Sequence, residues 1–342
     1  NMPGAEFLGA MVKFAISKFK FDPDAFVHEL VDSIIGDNYP VPDRMLVHNE
    51  RIVHEYLMWA MCGEPHPQGK FDIYAVEGGT AAMCYIFKSL KANRLLFPGD
   101  TIALGTPIFT PYLEMTHLED YDLKMVPIRA PQENRFQYTD EELKKLEDPK
   151  IKAFFIVNPG NPSGMAMNRD TIAKIVKIVK TKRPDLMLLT DDVYGTFVND
   201  FRSLLGELPQ NTIGVYSYSK YFGCTGWRLG AIAIHEDNIF DKMIAKLPEE
   251  HRKALHKRYV PITLEPDKLK FIDRIVADSR DIGLNHTAGL SLPQQVMMTM
   301  FSLYELMDSK KEYQKACMQI VRRRFEAILD GLQLTVDPNV HY

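Results

Sequence analysis

The chain has 342 residues, 46% of them hydrophobic, and its 41 Lys and Arg against 45 Asp and Glu give a formal net charge of -4. That describes an ordinary globular chain, one large domain plus part of a second. The mildly acidic balance excludes a general electrostatic footprint for nucleic acid. The four cysteines, Cys62, Cys84, Cys224 and Cys317, stand far apart with no CxxC pair. Neither a disulfide framework nor a zinc site is expected, and the reducing cytoplasm is the expected compartment.

The first patterned stretch, FLGAMVKFAISKF, is amphipathic, and Lys13 and Lys18 interrupt it where a signal peptide keeps an apolar core. No apolar run approaches the roughly 18 residues that span a bilayer, so no membrane partner is expected. From about residue 73, short β-rich runs alternate with helical stretches. The series reads DIYAV and AAMCYIFKSLKAN, then DTIAL and TPYLEMTHLE, then IKAFFIV and RDTIAKIVKIVKTK, then DLMLLT and TIGVYSYS. Strands alternating with helices of that length imply crossover connections and a mostly parallel, buried sheet, hence an α/β fold. His251 and His256 lie five apart and no HExxH occurs, so no metal is expected. A charged helix is expected near 309 to 330, with Arg322, Arg323 and Arg324 on a solvated face, and LQLTVDPNVHY after it reads as the first strand of a further unit.

In a parallel sheet, ligands sit outside the carboxyl ends of the strands. Those ends read EGGTAAM, GTPIFTPY, NPGNPSG, DDVYGTF and YSKYFG. Gly78, Gly79 and Thr80 precede a helical run, where exposed N–H groups and the helix dipole favour a phosphate. A tight turn with a threonine N-cap is the ordinary alternative. With neither a Walker lysine nor GxGxxG present, a small phosphorylated cofactor is favoured over a nucleotide. Asp191 and Asp192 end an apolar run, with Tyr194 just beyond. A carboxylate there keeps a ring nitrogen protonated, and a phenol hydrogen-bonds a neighbouring ring oxygen; two aspartates capping a turn is the bland alternative. The two Asn-Pro units of NPGNPSG make a rigid loop from which Asn161 presents an amide. Most lysines are solvated surface charges. Lys220, however, follows Ser217 and Ser219 and precedes Arg228, donors for a phosphate monoester. A neighbouring guanidinium in a partly dehydrated cleft favours the neutral amine that attacks a carbonyl. Lysine, phosphate cradle, carboxylate and phenol together match pyridoxal 5'-phosphate.

On these residues the chain resembles the fold type I pyridoxal-phosphate enzymes, within the class I and II aminotransferase group. Five motifs carry the resemblance in the family's order: EGGTAA, GTPIF, NPGNPSG, DDVY and SYSKYFGCTGWRLG. The resemblance implies a mostly parallel large-domain sheet with helices on both faces plus a small α/β domain. It makes Lys220 the lysine that bonds the cofactor aldehyde, Asp191 the partner of the ring nitrogen, and Tyr194 and Asn161 the donors to the ring oxygen. Gly78, Gly79, Thr80, Ser217, Ser219 and Arg228 are then the phosphate site, and Phe109 stacks on the ring. Tyr39, in GDNYPVPDRM, is similar to the tyrosine that reaches the phosphate of a neighbouring subunit, which implies a homodimer or higher homo-oligomer with shared sites.

NYPVPDRML, TDDVYGTFV and YSYSKYFGCTGWRLG resemble the aspartate 4-decarboxylase branch, whose reaction releases the β-carboxylate of L-aspartate to give L-alanine and CO2, with transamination beside it. Some sixty residues separate Arg228 from SLPQQ, and LNHTAGLS lacks the arginine that aspartate aminotransferases place before that serine to clamp the substrate's side-chain carboxylate. A bidentate clamp stabilises a carboxylate whose charge the transition state for CO2 loss disperses. Its absence favours decarboxylation, with Arg280 and His286 as other candidate cations. A plain aminotransferase of dicarboxylic or aromatic amino acids stays open. So does a retired, ligand-sensing domain, which the intact Lys220, Asp191 and Arg228 disfavour. The expected division is a cofactor domain over 45–310 with a helical insertion near 236–285, and 1–44 with 311–342 as an N-terminal segment and partial small domain. The family's α-carboxylate arginine lies in that small domain, beyond any position that matches it here, so the sequence is expected to be a piece of a longer chain.

Overall fold

The structure, a computed structural model, describes residues 3–36, 39, 41–117, 121–281 and 289–335. Seven strands form one sheet: β1 (Phe71–Val76), β2 (Thr101–Thr106), β3 (Lys124–Arg129), β4 (Ile151–Val157), β5 (Met187–Asp191), β6 (Thr212–Ser217) and β7 (Gly230–His235). Their order is β1-β7-β6-β5-β4-β2-β3. The pairs β2/β3, β2/β4, β4/β5 and β5/β6 are parallel, while β7 runs antiparallel to β1 and β6. Every residue of β5, β6 and β7 is buried, as expected of strands covered on both faces.

Period-2 alternation divides those side chains between two helical layers. Ile213 and Val215 of β6 join Met83, Ile86 and Leu90 of the Gly79–Ala92 helix in one core. Tyr216 joins Tyr56, Met61 and Leu205 on the other face, where the Arg169–Thr181 helix adds Ile172, Ile175 and Val179 beside Phe154 and Leu188. The α/β sandwich read from the sequence is the observed fold.

Two strands were not anticipated. β3 is an edge strand whose Lys124, Pro127 and Arg129 interrupt its apolar pattern. β7, GAIAIH, is short and small-residue-rich, and it turns back against the parallel strands. The run TIGVYSYS leaves the sheet at Ser217, which puts Tyr218, Ser219 and Lys220 in the turn that follows.

Between β7 and the Leu292–Met307 helix lie helices Ile239–Ala245, Glu249–Tyr259 and Phe271–Ser279. The last packs along the Gly79–Ala92 helix around Asp278, which is 1% exposed. Asp278 accepts from Ser89 Oγ at 2.7 Å, Asn93 Nδ2 at 3.0 Å, the Tyr259 hydroxyl at 2.9 Å and Arg258 Nη2 at 2.8 Å. Burial raises its carboxyl pKa, and these donors satisfy a charge that is costly when buried alone. The insertion is thereby fastened to the helix whose other end meets the site.

The Pro3–Phe19 and Pro23–Ile35 helices pack on the Leu292–Met307 helix through Met11, Ala15, Phe26, Leu30, Val296 and Leu303. Asp22 caps the second by accepting from Ala25 N at 2.8 Å, and Gly36 closes it at φ 69°. The Glu312–Gly331 helix meets the body through Tyr313, whose hydroxyl donates to the Tyr221 carbonyl at 3.1 Å, and Gln314, which donates to the Thr196 carbonyl at 2.9 Å. Leu332 to Thr335 form no strand, and the remainder of the strand expected there, 336–342, lies outside the described residues.

Glu305 on the Leu292–Met307 helix is 5% exposed, and burial pushes its carboxyl from 4.5 up to about 7. A carboxyl with a raised folded-state pKa binds more protons folded than unfolded, so stability falls as pH rises from about 4.5 to about 7. Denaturant titrations across that window should show a shallower pH slope for Glu305→Gln than for the unchanged protein; parallel slopes would contradict the assignment.

Candidate functional site

The site lies outside the carboxyl ends of β4, β5 and β6, where a cleft of about 170 Å³ opens. Gly79, Thr80, Phe109, Asn161, Asp191, Tyr194, Ser217, Ser219, Lys220 and Arg228 all line it. Strand register brings them together: Val157 of β4 is opposite Asp191, and Asp191 is opposite Val215 of β6.

At one end stands Asp191, 5% exposed. Burial raises its pKa, while two donors oppose that by favouring the charged form. The Tyr112 hydroxyl donates to Oδ2 at 2.6 Å and Val193 N to Oδ1 at 3.2 Å. The next residue points the other way, as strand alternation requires. Asp192 is fully buried, its Oδ1 accepts from Thr190 Oγ1 at 2.6 Å, and burial pushes its carboxyl up to about 8. Of the two adjacent aspartates, only Asp191 lines the cleft.

Beside Asp191, Asn161 Nδ2 donates to the Tyr194 hydroxyl at 3.5 Å. Burial, then the nearby Asp191, raises the Tyr194 pKa, keeping the phenol protonated. Phe109 is exposed at the rim and meets Tyr112 edge-on at 5.4 Å.

At the other end the Gly79–Ala92 helix presents its N-terminus. Gly78 holds the N-cap position at φ 92°, with no side-chain cap. Thr80 is therefore not the N-cap, and the first N–H groups remain available to an anion. Arg228, in the left-handed region at φ 56°, brings Nη1 to the Thr225 carbonyl at 3.1 Å and Nη2 to the Glu77 carbonyl at 3.3 Å. Ser217 Oγ donates to Ser219 Oγ at 3.0 Å, and both serines are buried. The approach is close enough to require glycine twice. A Cβ at Gly78 would stand 2.6 Å from Arg228 Nη2, and one at Gly230 2.6 Å from Gly78 Cα.

Lys220 is exposed, a correction to the partly dehydrated setting expected for its amine. With Asn161 and Tyr194 it also borders a wider hollow of about 670 Å³ between the 159–165 loop and the Glu312–Gly331 helix. Arg322, exposed and bonded through Nε to Glu326 at 2.9 Å, lies on the far wall of that hollow. Tyr39 is 73% exposed and does not line the cleft. Arg280 is paired with Asp43, and His286 and Thr287 lie outside the described residues. Tyr112 and Thr225 line the cleft without having been singled out from the sequence; the signal for Tyr112 was its place in GTPIFTPY, three residues beyond Phe109.

Carboxylate at one end, anion donors at the other and a lysine amine at the rim fit a small phosphorylated ring with a basic nitrogen. The described residues contain no cluster suited to a metal ion and no helix long and apolar enough to cross a membrane.

The model of the aminotransferase class I and II family matches residues 76–258. Over 324 residues the chain is 53% identical to a Pseudomonas sp protein named bifunctional aspartate aminotransferase and L-aspartate beta-decarboxylase, covering 95% of this chain and 61% of that one. It is also 33% identical over 158 residues to the aspartate aminotransferase of Pyrococcus abyssi, 44% of this chain and 39% of that one. Thus the chain spans about 61% of the length of the Pseudomonas relative. Among solved structures, a double mutant of Thermus thermophilus aspartate aminotransferase superposes with a TM-score of 0.63 at 19% identity, covering 95% of this chain and 69% of that one. That likeness is one of fold.

Gly78→Ala should push the Arg228 guanidinium from its place and weaken the binding of pyridoxal phosphate by about tenfold or more, the cost of one charge-assisted hydrogen bond. Absorbance titration measures it, and unchanged affinity would remove Gly78 from the phosphate site.

Proposed function

Because the chain belongs to the class I and II aminotransferases, whose cofactor is pyridoxal 5'-phosphate, we propose that it decarboxylates L-aspartate at the β-carbon to L-alanine and CO2, with aspartate transamination as a side activity. The likeness to the Pseudomonas relative, which extends over nearly the whole chain, carries the choice of substrate. The buried, doubly hydrogen-bonded Asp191 supports the cofactor's orientation.

When bound, pyridoxal phosphate supplies an aldehyde for the substrate amine and a ring that accepts electrons. Its phosphate is held by the helix N-terminus at Gly79 and Thr80, by the Ser217 and Ser219 hydroxyls and by Arg228, with Gly78 giving the backbone room to approach. Asp191 holds the ring nitrogen in its charged form, and Tyr112 keeps that carboxylate aimed. Tyr194 and Asn161 donate to the ring oxygen, and Phe109 covers the ring face. Lys220 would be the amine that holds the aldehyde, and the same amine would carry the substrate's α-proton as general base. The hollow on the far side of Lys220, Asn161 and Tyr194 is the natural room for the substrate.

Decarboxylation is favoured over simple transamination by the fate of the β-carboxylate. LNHTAGLS offers no arginine to clamp it, and Arg280 is already paired with Asp43. A carboxylate left without a clamp is not stabilised in the ground state against losing its charge to CO2. The enzyme acts as a homodimer or higher homo-oligomer in the cytoplasm, with Tyr39 reaching the phosphate of a neighbouring subunit. The 45–310 stretch is its cofactor domain, and 1–44 with 311–342 are its flanking segments.

Borohydride reduction of the holoenzyme followed by peptide mapping should place the reduced chromophore on Lys220, and labelling of another lysine would overturn the site. In coupled assays, aspartate should yield alanine and CO2 with no added keto acid; strict dependence on 2-oxoglutarate would establish the plain aminotransferase instead. Thr287→Arg, which restores a clamp cation to LNHTAGLS, should slow CO2 release relative to transamination by about tenfold. Undiminished CO2 release would count against the clamp argument.

A further inference from the structure

Glu77 opens the motif EGGTAA but was given no role above, yet it joins three pieces of the site. Its backbone carbonyl accepts from Arg228 Nη2 at 3.3 Å. Carboxylate Oε2 accepts from the Tyr85 hydroxyl at 3.0 Å, on the helix whose N-terminus faces the cleft. Oε1 accepts from the backbone N–H of Gly289 at 3.0 Å, 212 residues away in sequence. The 289–294 segment has two further attachments nearby: Leu290 N donates to the Ala75 carbonyl at 3.1 Å, and Gln294 Nε2 donates to the Trp227 carbonyl at 2.8 Å. Trp227 immediately precedes Arg228. The turn that carries the guanidinium is thus gripped from one side by Glu77 and from the other by Gln294, and both grips lead to the same segment.

We propose that Glu77 is a positioning residue that couples occupation of the phosphate site at Arg228 to the placement of the segment beginning at Gly289. This rests on the reading that a phosphate monoester sits at Arg228. An anion drawn onto Arg228 and the Gly79 N-terminus fixes the peptide between them, which is that of Glu77. The side chain on that peptide then holds the Gly289 N–H. In sequence Gly289 is two residues beyond Thr287, within the LNHTAGLS stretch proposed above to decide the fate of the β-carboxylate, which makes KM for the substrate the kinetic readout. A neutral acceptor at position 77 preserves the bond to Gly289; an alanine removes it.

Amide hydrogen exchange at Gly289 reads the coupling directly, in the full chain with and without pyridoxal phosphate. Cofactor binding should slow exchange at Gly289 in the unchanged protein and in Glu77→Gln. In Glu77→Ala the protection should fall about tenfold, the loss of one hydrogen bond of ordinary strength. The same substitution should raise KM for L-aspartate about tenfold with a smaller change in kcat, and Glu77→Gln should restore it. Equal cofactor-dependent protection in Glu77→Ala and the unchanged protein overturns the proposal. So does a fall in kcat at constant KM, or a Glu77→Gln variant as impaired as Glu77→Ala, since either marks Glu77 as a fold element only. If the unchanged protein takes up no pyridoxal phosphate, the cofactor reading fails first and the coupling fails with it, an outcome separable from a cofactor-loaded protein whose Gly289 does not respond.

Discussion

The parallel pairing of β4, β5 and β6 is the constraint on which the site rests. Once Val157 is opposite Asp191 and Asp191 opposite Val215, the chain leaving each strand has one edge of the sheet on which to emerge. Asn161 follows β4 by four residues, Tyr194 follows β5 by three, and Lys220 follows β6 by three. A slip of one residue in β5 would turn its whole side-chain set over. It would bring Asp192 into the place of Asp191 and Asp191 into the buried place beside Thr190. Register therefore chooses which of two identical neighbours lines the cleft.

The end proposed for the phosphate needs a different device, because Arg228 lies just before a strand rather than at the end of one. β7 runs antiparallel to β6, so it begins at the edge where β6 finishes, and Gly230 pairs with Ser217 there. On its other side Gly230 pairs with Val76, the last residue of β1. The glycine loop after β1 and the arginine before β7 thus meet because two antiparallel pairings share one strand. Their meeting is tight, and glycine at 78 and 230 is what allows the guanidinium and the backbone to approach.

Most of this site was legible because its chemistry sits at the ends of apolar runs, and such ends are visible in one dimension. Asp191 and Ser217 end strands that sequence patterning finds, and Asn161, Tyr194 and Lys220 follow such strands. What stayed hidden depends on three-dimensional return. β7 carries small residues that give no distinctive alternation, and its direction follows only from the sheet. Tyr112 has the appearance of a helix residue packing on Phe155, and its hydroxyl finds Asp191 across 79 positions. Glu77 was in plain view within EGGTAA, but its partner Gly289 is unrelated to it by any local pattern. The exposure of Lys220 was likewise beyond reach, since a turn residue's surroundings are set by whatever the rest of the fold places over it.

The two ends of the cleft impose opposite electrostatic demands, and the fold meets them with different materials. At one end the buried Asp191 carboxylate accepts from a phenol and one backbone N–H, which favour its charged form against the burial that raises its pKa. At the other end the donors proposed for a phosphate are a helix terminus, two buried serines and an exposed guanidinium, which gain when an anion arrives. A dianion at one end and a cationic nitrogen at the other would orient a ring along the line between them before any covalent bond to Lys220 forms. The amine proposed to hold the ring, on the exposed Lys220, would then not be needed to orient it. Under the function proposed above, such independence would let one lysine both hold the cofactor and move a proton.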